Sequence, residues 1–378
     1  MITTAVLGGA FDPVHIEHIK IARACVEELG INRLVLVPTS NPPHKLNSRA
    51  PFFDRVKMLK IAFSDFPVDV VISEIENATD DVSYTVDLLP KLKNEFGYFY
   101  YIIGGDSLLD FDTWYKPEQI VKMAQVVVFD REGYDGVSLK INELNLKWNC
   151  EIRHMKYCGD GIASDEIRTL LDLKLPVSGL SKGVYEYIIK NSLYNTFDDI
   201  YYKLPSYLSK ARLTHSLNTT RCAIDVNKRC QLKLPYEKVF LSAILHDVGK
   251  KYDYDDLKCL GFNVPLNAIS TPVQHQYVGA ELALTEFNVQ DVDVLSAIRC
   301  HTTGKPNMTI LEKLIYIADI ISSERTFPEV NNLRLAVYKN FEQGFKQCLM
   351  YSYEYLLTKK TNIYPLTKQA VDFYKENL

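Results

Sequence analysis

A basic surplus is missing from this chain. Across 378 residues Lys and Arg number 43 against 47 Asp and Glu, a formal charge of −4. Proteins that grip long nucleic acid carry an excess of positive charge, so that class is set aside; a local phosphate pocket needs only a few basic groups. No apolar run reaches the roughly 18 residues that a membrane span requires, so no membrane partner is expected. The start lacks the basic stretch and small-residue cleavage site of a secretory signal. The 8 cysteines form no CxxC, and scattered cysteines fit reduced thiols in a cytoplasmic protein. Low-complexity tracts and short repeats are also lacking. What is there is a globular composition, 47% hydrophobic and 24% charged, at a length that favours two domains. A homo-oligomer is compatible with it.

The first half alternates strand-like and helix-like runs. Thr3–Leu7, Arg33–Pro38, Val68–Ile75, Tyr98–Ile103 and Val126–Phe129 read as strands. His15–Leu29, Phe52–Phe63, Ser83–Phe96 and Trp114–Ala124 read as helices between them. That alternation predicts a doubly wound parallel sheet with helices on both faces, binding ligands at the carboxyl ends of its strands. From about Ser206 the strand signals fade. Leu241–Leu245, Val278–Phe287, Val292–Cys300, Ile310–Ile321 and a long run through Tyr338–Leu357 read as helix, giving an all-α second domain. The boundary is placed near Tyr194–Asp199, which gives domains 1–195 and 196–378.

The sharpest local signal is Gly8-Gly9-Ala10-Phe11-Asp12-Pro13-Val14-His15-Ile16-Glu17-His18. Two glycines after a strand let a phosphate approach the backbone. The helix that follows offers free N–H groups and a positive dipole end. His15 and His18, three apart, share a face and can stabilise charge moving onto a leaving pyrophosphate. Adenylyl transfer then needs no protein nucleophile, because an acceptor phosphate attacks the α-phosphorus directly.

This stretch resembles the GGxFDPxHxGH pattern of the nucleotidyltransferase superfamily, in particular the nicotinate-nucleotide adenylyltransferases of bacterial NAD synthesis. The likeness continues through Val37-Pro38-Thr39 with Pro42-Pro43-His44-Lys45, Ser83-Tyr84-Thr85, Ile102-Ile103-Gly104-Gly105-Asp106 with Trp114, Asp130-Arg131, and Ile162-Ala163-Ser164-Asp165-Glu166-Ile167-Arg168. It implies a Rossmann-like domain in which Gly8, Gly9, Ala10, Phe11, His15 and His18 cradle ATP, accompanied by Mg²⁺. Ser164 and Arg168 would bind the phosphates. Gly104 and Asp106 would lie near the adenosine and Arg131 at a neighbouring strand end. Thr85 and Trp114 would face nicotinate mononucleotide, and His44 and Lys45 would lie on a loop over the phosphates. Nicotinamide mononucleotide and phosphopantetheine stay open as other acceptors. Glu17 stands where the pattern has Gly, bringing a negative charge near the phosphates unless it points away. Ala10, Ala163 and Asp165 also depart from the pattern.

The second half holds His215, His246-Asp247, His275, His301 and Asp319, each in or beside a helical stretch. Imidazoles and carboxylates from helices suit iron, manganese or another first-row divalent ion. A metal-bound water becomes a hydroxide near neutral pH and attacks phosphorus. Adjacent His246 and Asp247 can serve one metal only if the helix ends there, and Gly249 is placed to end it. Lys250 and Arg212 are placed to hold phosphate oxygens. Of 8 histidines only His154 falls outside the motifs named.

Arg212–Ser216, Leu245–Lys250, Gln274-His275, Ala297–Gly304 with Thr302, and Lys313–Asp319 with Glu324-Arg325 make this half similar to the HD superfamily, and more closely to the bacterial symmetrical diadenosine-tetraphosphate hydrolases. That implies cleavage of diadenosine tetraphosphate to two ADP, with iron as the native metal. His215, His246, Asp247 and Asp319 would be its ligands. His275, His301 and Thr302 would bind the nucleotide's phosphates, or the two histidines a second metal. A nucleotidase or a regulatory nucleotide-binding module is the alternative.

Overall fold

Six segments become the strands of one sheet in the computed structural model, which describes residues 2–40, 50–78, 84–131, 136–252, 271–359 and 362–375. They are β1 (Thr4–Gly9), β2 (Arg33–Pro38), β3 (Asp69–Ile72), β4 (Phe99–Gly104), β5 (Gln125–Arg131) and β6 (Arg153–Gly159). The order is β3-β2-β1-β4-β5-β6, and every neighbouring pair is parallel. The chain runs from β1 outward to β3, returns to the centre at β4, and winds the other way to β6. A crevice opens at such a reversal, beyond the strand ends, where ligands bind in doubly wound sheets. Gly8-Gly9 ends β1 there and Gly104 ends β4.

Alternate residues of the central strands enter different cores. Ala5, Leu7, Leu34 and Leu36 pack on one face, and Val6, Val35 and Val37 on the other. Burial on both faces is why these strands read as unbroken apolar runs. The edge strand β6 lacks that signature: of its seven residues only Met155 and Gly159 are buried. The strand expected over Val68–Ile75 is shorter, because Ile75–Ala78 winds into a 3₁₀ turn from which Glu76 accepts the backbone N–H of Ser40 (3.2 Å). The helix expected from Trp114 begins at Pro117. Proline suits a first helical position, and Lys116 before it is left-handed (φ 51°).

The chain divides into two compact units, Met1–Thr196 and Phe197–Leu378. Among its described residues the second is helical throughout: Asp198–Tyr207, Lys210–Arg229, Tyr236–Leu245, Thr271–Thr285, Val292–Cys300, Ile310–Ile321, Val330–Lys339, Phe341–Thr358 and Pro365–Lys375. Its core is built of Ala223, Ala243, Leu314, Ile317, Val337 and Phe345 among others. The run expected through Tyr338–Leu357 is two helices, not one. Asn340 leaves helical geometry (φ −156°) and caps the second helix through Gln343. Gly344 then packs where a Cβ would lie 2.4 Å from Val337 Cα. The fold is thus an α/β doubly wound unit followed by an all-α unit, as the sequence leads one to expect. No described helix is long and apolar enough to cross a membrane.

Candidate active sites

The loop after β1 is tied down from several sides. Thr39 N–H donates to the Gly9 carbonyl (2.9 Å). The Asp12 carboxylate accepts from the Ala50 backbone N–H (3.1 Å) and the Tyr194 hydroxyl (2.7 Å). His15 then begins the Ile16–Leu29 helix. Its backbone N–H donates to His18 Nδ1 (3.2 Å), and the two rings lie 3.8 Å apart. With Nδ1 accepting, neutral His18 carries its proton on Nε2, the form that donates to a phosphate oxygen. The Phe11 ring stands 4.9 Å from that of His18.

Ser164 and Arg168, on the Ser164–Asp172 helix, meet this loop from the other side. Ser164 Oγ donates to the Pro13 carbonyl (3.0 Å). Arg168 donates to the Asp12 carbonyl and lies 3.8 Å from its carboxylate. Asp106 sits in the short helix that follows Gly104. Thr85 begins the Thr85–Phe96 helix and hydrogen-bonds the Tyr101 hydroxyl, whose pKa burial pushes to about 12. That hydroxyl lies against Gly8, 3.8 Å from where a Cβ would be. Trp114 is half-buried on Phe111 (4.9 Å). Arg131 ends β5. His44 and Lys45 lie outside the described residues.

Glu17 turns away from the loop. Only 3% exposed, it accepts the Tyr157 hydroxyl on β6 (2.7 Å) and fills the space beside Gly159, whose Cβ would lie 2.5 Å from Glu17 Oε1.

In the second unit the α-helical ladder stops at Leu245, one residue before the His-Asp pair. Tight turns follow, with Val248 N–H on the Leu245 carbonyl and Lys250 N–H on that of Asp247. They aim both side chains inward. His246 and Asp247 are buried (0% and 3% exposed), as are His215, His275 and His301. The two oxygens of Asp247 face different partners. Oδ2 is 3.9 Å from both His215 Nε2 and His246 Nε2. Oδ1 is 3.5 Å from His275 Nε2 and 3.6 Å from His301 Nε2. Asp319 Oδ1 completes the first group, 2.9 Å from His215 Nε2 and 3.9 Å from His246 Nε2.

All four imidazoles are oriented from behind. His246 Nδ1 pairs with the Ala243 carbonyl (2.7 Å), His275 Nδ1 with Pro272 (3.1 Å) and His301 Nδ1 with Ile298 (2.8 Å). His215 Nδ1 pairs with the Glu324 carboxylate (2.5 Å), which Ser322 also holds (2.8 Å). A proton on each Nδ1 leaves Nε2 as a ligand lone pair, the arrangement metal-binding histidines show. His215 and His246 present their Nε2 atoms 3.2 Å apart, as do His275 and His301. Two nitrogens bound to one ion at ~2.1 Å and roughly 90–109° stand about 3.0–3.4 Å apart. These residues therefore fit a divalent metal, and His215, His246 and Asp247, His246, His301 and Asp319, and Asp247, His275 and His301 each bring donor atoms within 4.8 Å of one another.

The electrostatics agree. Burial raises the pKa of Asp247 and Asp319, but the surrounding imidazoles and cations outweigh it and hold both well below the usual carboxylate range. Burial lowers His246 to about 4 and His275 to about 2, so both are neutral at pH 7. His215 is raised: burial lowers it, and the Asp319 and Glu324 carboxylates overcome that.

Arg212 reaches Asp247 Oδ2 (2.8 Å). Lys250 Nζ lies 3.1 Å from His275 Nε2, and the Thr302 hydroxyl is 2.9 and 3.0 Å from His275 and His301 Nε2. Sequence reasoning gave no role to Arg325, which holds Asp319 Oδ1 (2.6 Å). It also missed Gln276, whose side-chain oxygen accepts the Thr302 and Thr303 N–H groups (3.2 Å each). A buried glutamine beside a buried histidine has no spacing signature.

A cytidylyltransferase-like family model matches residues 6–170, and an HD domain model residues 212–324. Over 356 residues the chain is 25% identical to the "Probable nicotinate-nucleotide adenylyltransferase/Ap4A hydrolase" of Mycoplasma genitalium, covering 92% of this chain and 96% of the relative. It is 35% identical over 194 residues to the "Probable nicotinate-nucleotide adenylyltransferase" of Endomicrobium trichonymphae, covering 50% of this chain and 97% of the relative. A crystal structure described as that of a "predicted HD superfamily hydrolase involved in NAD metabolism" from Clostridium acetobutylicum is 27% identical over 48% of this chain and 98% of that one, with a TM-score of 0.45.

Proposed function

The chain belongs to the nicotinate-nucleotide adenylyltransferase family, with an HD domain behind that unit, and from this premise we propose two activities. The first unit transfers AMP from ATP to nicotinate mononucleotide, giving the deamido dinucleotide and pyrophosphate. The second hydrolyses diadenosine tetraphosphate to two ADP at a divalent metal centre.

In the first reaction a phosphate oxygen of the mononucleotide attacks the α-phosphorus, and the bond to the β-phosphate oxygen breaks. The residues position and stabilise. His18, donating from Nε2, and His15 beside it take up charge on the departing pyrophosphate. Ser164 and Arg168 hold the loop at Asp12-Pro13 against the same phosphates. Thr85 and Trp114 line the acceptor side, and Mg²⁺ travels with ATP.

In the second, His215, His246, Asp247 and Asp319 would hold the metal, with iron the expected ion. When bound, the ion lowers the pKa of water and neutralises phosphate charge. His275, His301 and Asp247 would hold a second ion, or the two histidines the substrate's phosphates. Arg212, Lys250 and Thr302 hold phosphate oxygens of the bound substrate. The observation that carries this reading is the division of Asp247 between two histidine pairs, all four rings anchored through Nδ1.

Metal analysis with product assays tests both halves. Nicotinate mononucleotide with ATP should give dinucleotide faster than nicotinamide mononucleotide or phosphopantetheine does. Diadenosine tetraphosphate should give ADP alone. AMP plus ATP, or binding without turnover, would refute the second assignment.

A further inference from the structure

The largest side chain in the fully buried set belongs to a cation. Arg55, on the Phe52–Ala62 helix, is 1% exposed. Its guanidinium donates from Nη1 to the Ala10 carbonyl (2.7 Å) and the Thr39 carbonyl (2.8 Å), and from Nε to the Ala50 carbonyl (3.2 Å). Ala10 lies in the loop after β1, and Thr39 directly follows β2. The anions near it are Asp12, whose carboxylate also receives Ala50 N–H and the Tyr194 hydroxyl, and Glu76, which receives Ser40 N–H.

A buried charge in this position is costly unless its hydrogen bonds are complete. A neutral apolar residue could fill the same volume. What the guanidinium adds is geometry, because Nη1 joins the two strand-end carbonyls while Nε of the same rigid plane is held by Ala50. One segment carries the nucleotide loop, and the other runs along the crevice toward Ser40 and Glu76.

We propose that Arg55 is a positioning residue for adenylyl transfer, locking the strand-end loops of β1 and β2 into one rigid frame so that ATP and its acceptor meet in line. The inference rests on the adenylyltransferase reading of this unit. Each loop can still bind its own ligand when the lock is lost, so the effect falls on alignment. An ~1 Å misplacement at a reacting centre costs on the order of a hundredfold.

The test is Arg55→Lys, with Arg55→Ala studied with and without guanidinium ion at sub-denaturing concentration. A lysine keeps the charge, but its single nitrogen falls one bond short of the Nη1 position that joins the Ala10 and Thr39 carbonyls and leaves the Ala50 carbonyl without the Nε donor. The expected result is a fall in kcat of roughly 10- to 100-fold, with KM for ATP and for nicotinate mononucleotide held within about threefold, and partial recovery of kcat in Arg55→Ala on adding guanidinium. Wild-type kcat in Arg55→Lys overturns the proposal. So does a parallel rise in both KM values with a lowered melting temperature, which reports a merely structural residue. Absence of turnover in the wild-type protein would instead strike the adenylyltransferase reading itself.

Discussion

Gly249 and Gly279 meet backbone to backbone: a Cβ built on Gly249 would lie 2.5 Å from the Gly279 nitrogen and 2.5 Å from the His275 carbonyl oxygen. This contact seats the His246-Asp247 turn on the Thr271–Thr285 helix and so fixes the distance from Asp247 Oδ1 to His275. Gly249→Ala has no flexible neighbour to push aside. It should cost at least ~1–3 kcal/mol of stability in the second unit and most of its phosphohydrolase activity. Adenylyl transfer should stay within about twofold, since it belongs to the other compact unit. A hydrolase rate close to wild type in the alanine variant would contradict this account.

Asp247→Asn keeps the shape of the bridging side chain and removes its charge. Phosphohydrolase activity should fall on the order of a thousandfold, the several kcal/mol that a metal centre supplies, and bound metal should fall with it. The adenylyl-transfer rate is the control. Loss of both activities would show that the two units do not work independently.

Glu324 gives His215 a carboxylate where the other three histidines have backbone carbonyls. Glu324→Gln should weaken metal binding by roughly 10- to 100-fold, the usual effect of losing such an outer partner. Titration of the metal-free protein reads this directly. Unchanged affinity would mean that Glu324 only fills space.

The metal-free protein should lose stability on mild acidification. Burial lowers His246 from 6.5 to about 4 and His275 from 6.5 to about 2. As pH falls through 6.5 the unfolded chain takes up these protons and the folded one does not. Stability complete above that value is therefore lost downward toward pH 4, at about 1.4 kcal/mol per histidine per pH unit. His215, raised, works in the opposite direction, and one histidine does not offset two. Melting temperatures of chelator-treated protein at pH 7.5, 6.0 and 5.0 should fall in that order; a flat series would refute the assignment of neutral ligands.

Much of this was legible because the chemistry lies close in sequence to a structural cue. Gly8-Gly9 ends a strand and His15 and His18 begin a helix, so spacing alone brings the two rings together. The turn at His246-Asp247 is announced by Gly249. Arg55 was illegible for the opposite reason. It sits among Val56, Met58 and Leu59 on a helix, and nothing local separates a buried arginine from one whose stem merely covers a surface. Its partners, Ala10 and Thr39, are backbone carbonyls, which carry no residue signature. The break at Asn340 was hidden because apolar periodicity continues across it, and only the folded chain, with Asn340 extended and Gly344 against Val337, reveals two helices. β6 escaped notice because an edge strand with five partly or fully exposed residues shows no apolar run.

The burial of Glu17 beside Gly159 has a consequence for interchanging parts between relatives. Positions 17 and 159 are 142 apart in the chain, yet they share one volume, large on one side and small on the other. Restoring glycine at 17 by itself would leave the Tyr157 hydroxyl without its acceptor and a void at the edge of the sheet. Any side chain at 159 by itself would displace the Glu17 carboxylate from its place beside the Tyr157 hydroxyl. The two positions are coupled, so a chimera that takes its first helix from one parent should be more stable with β6 from the same parent than with β6 from the other.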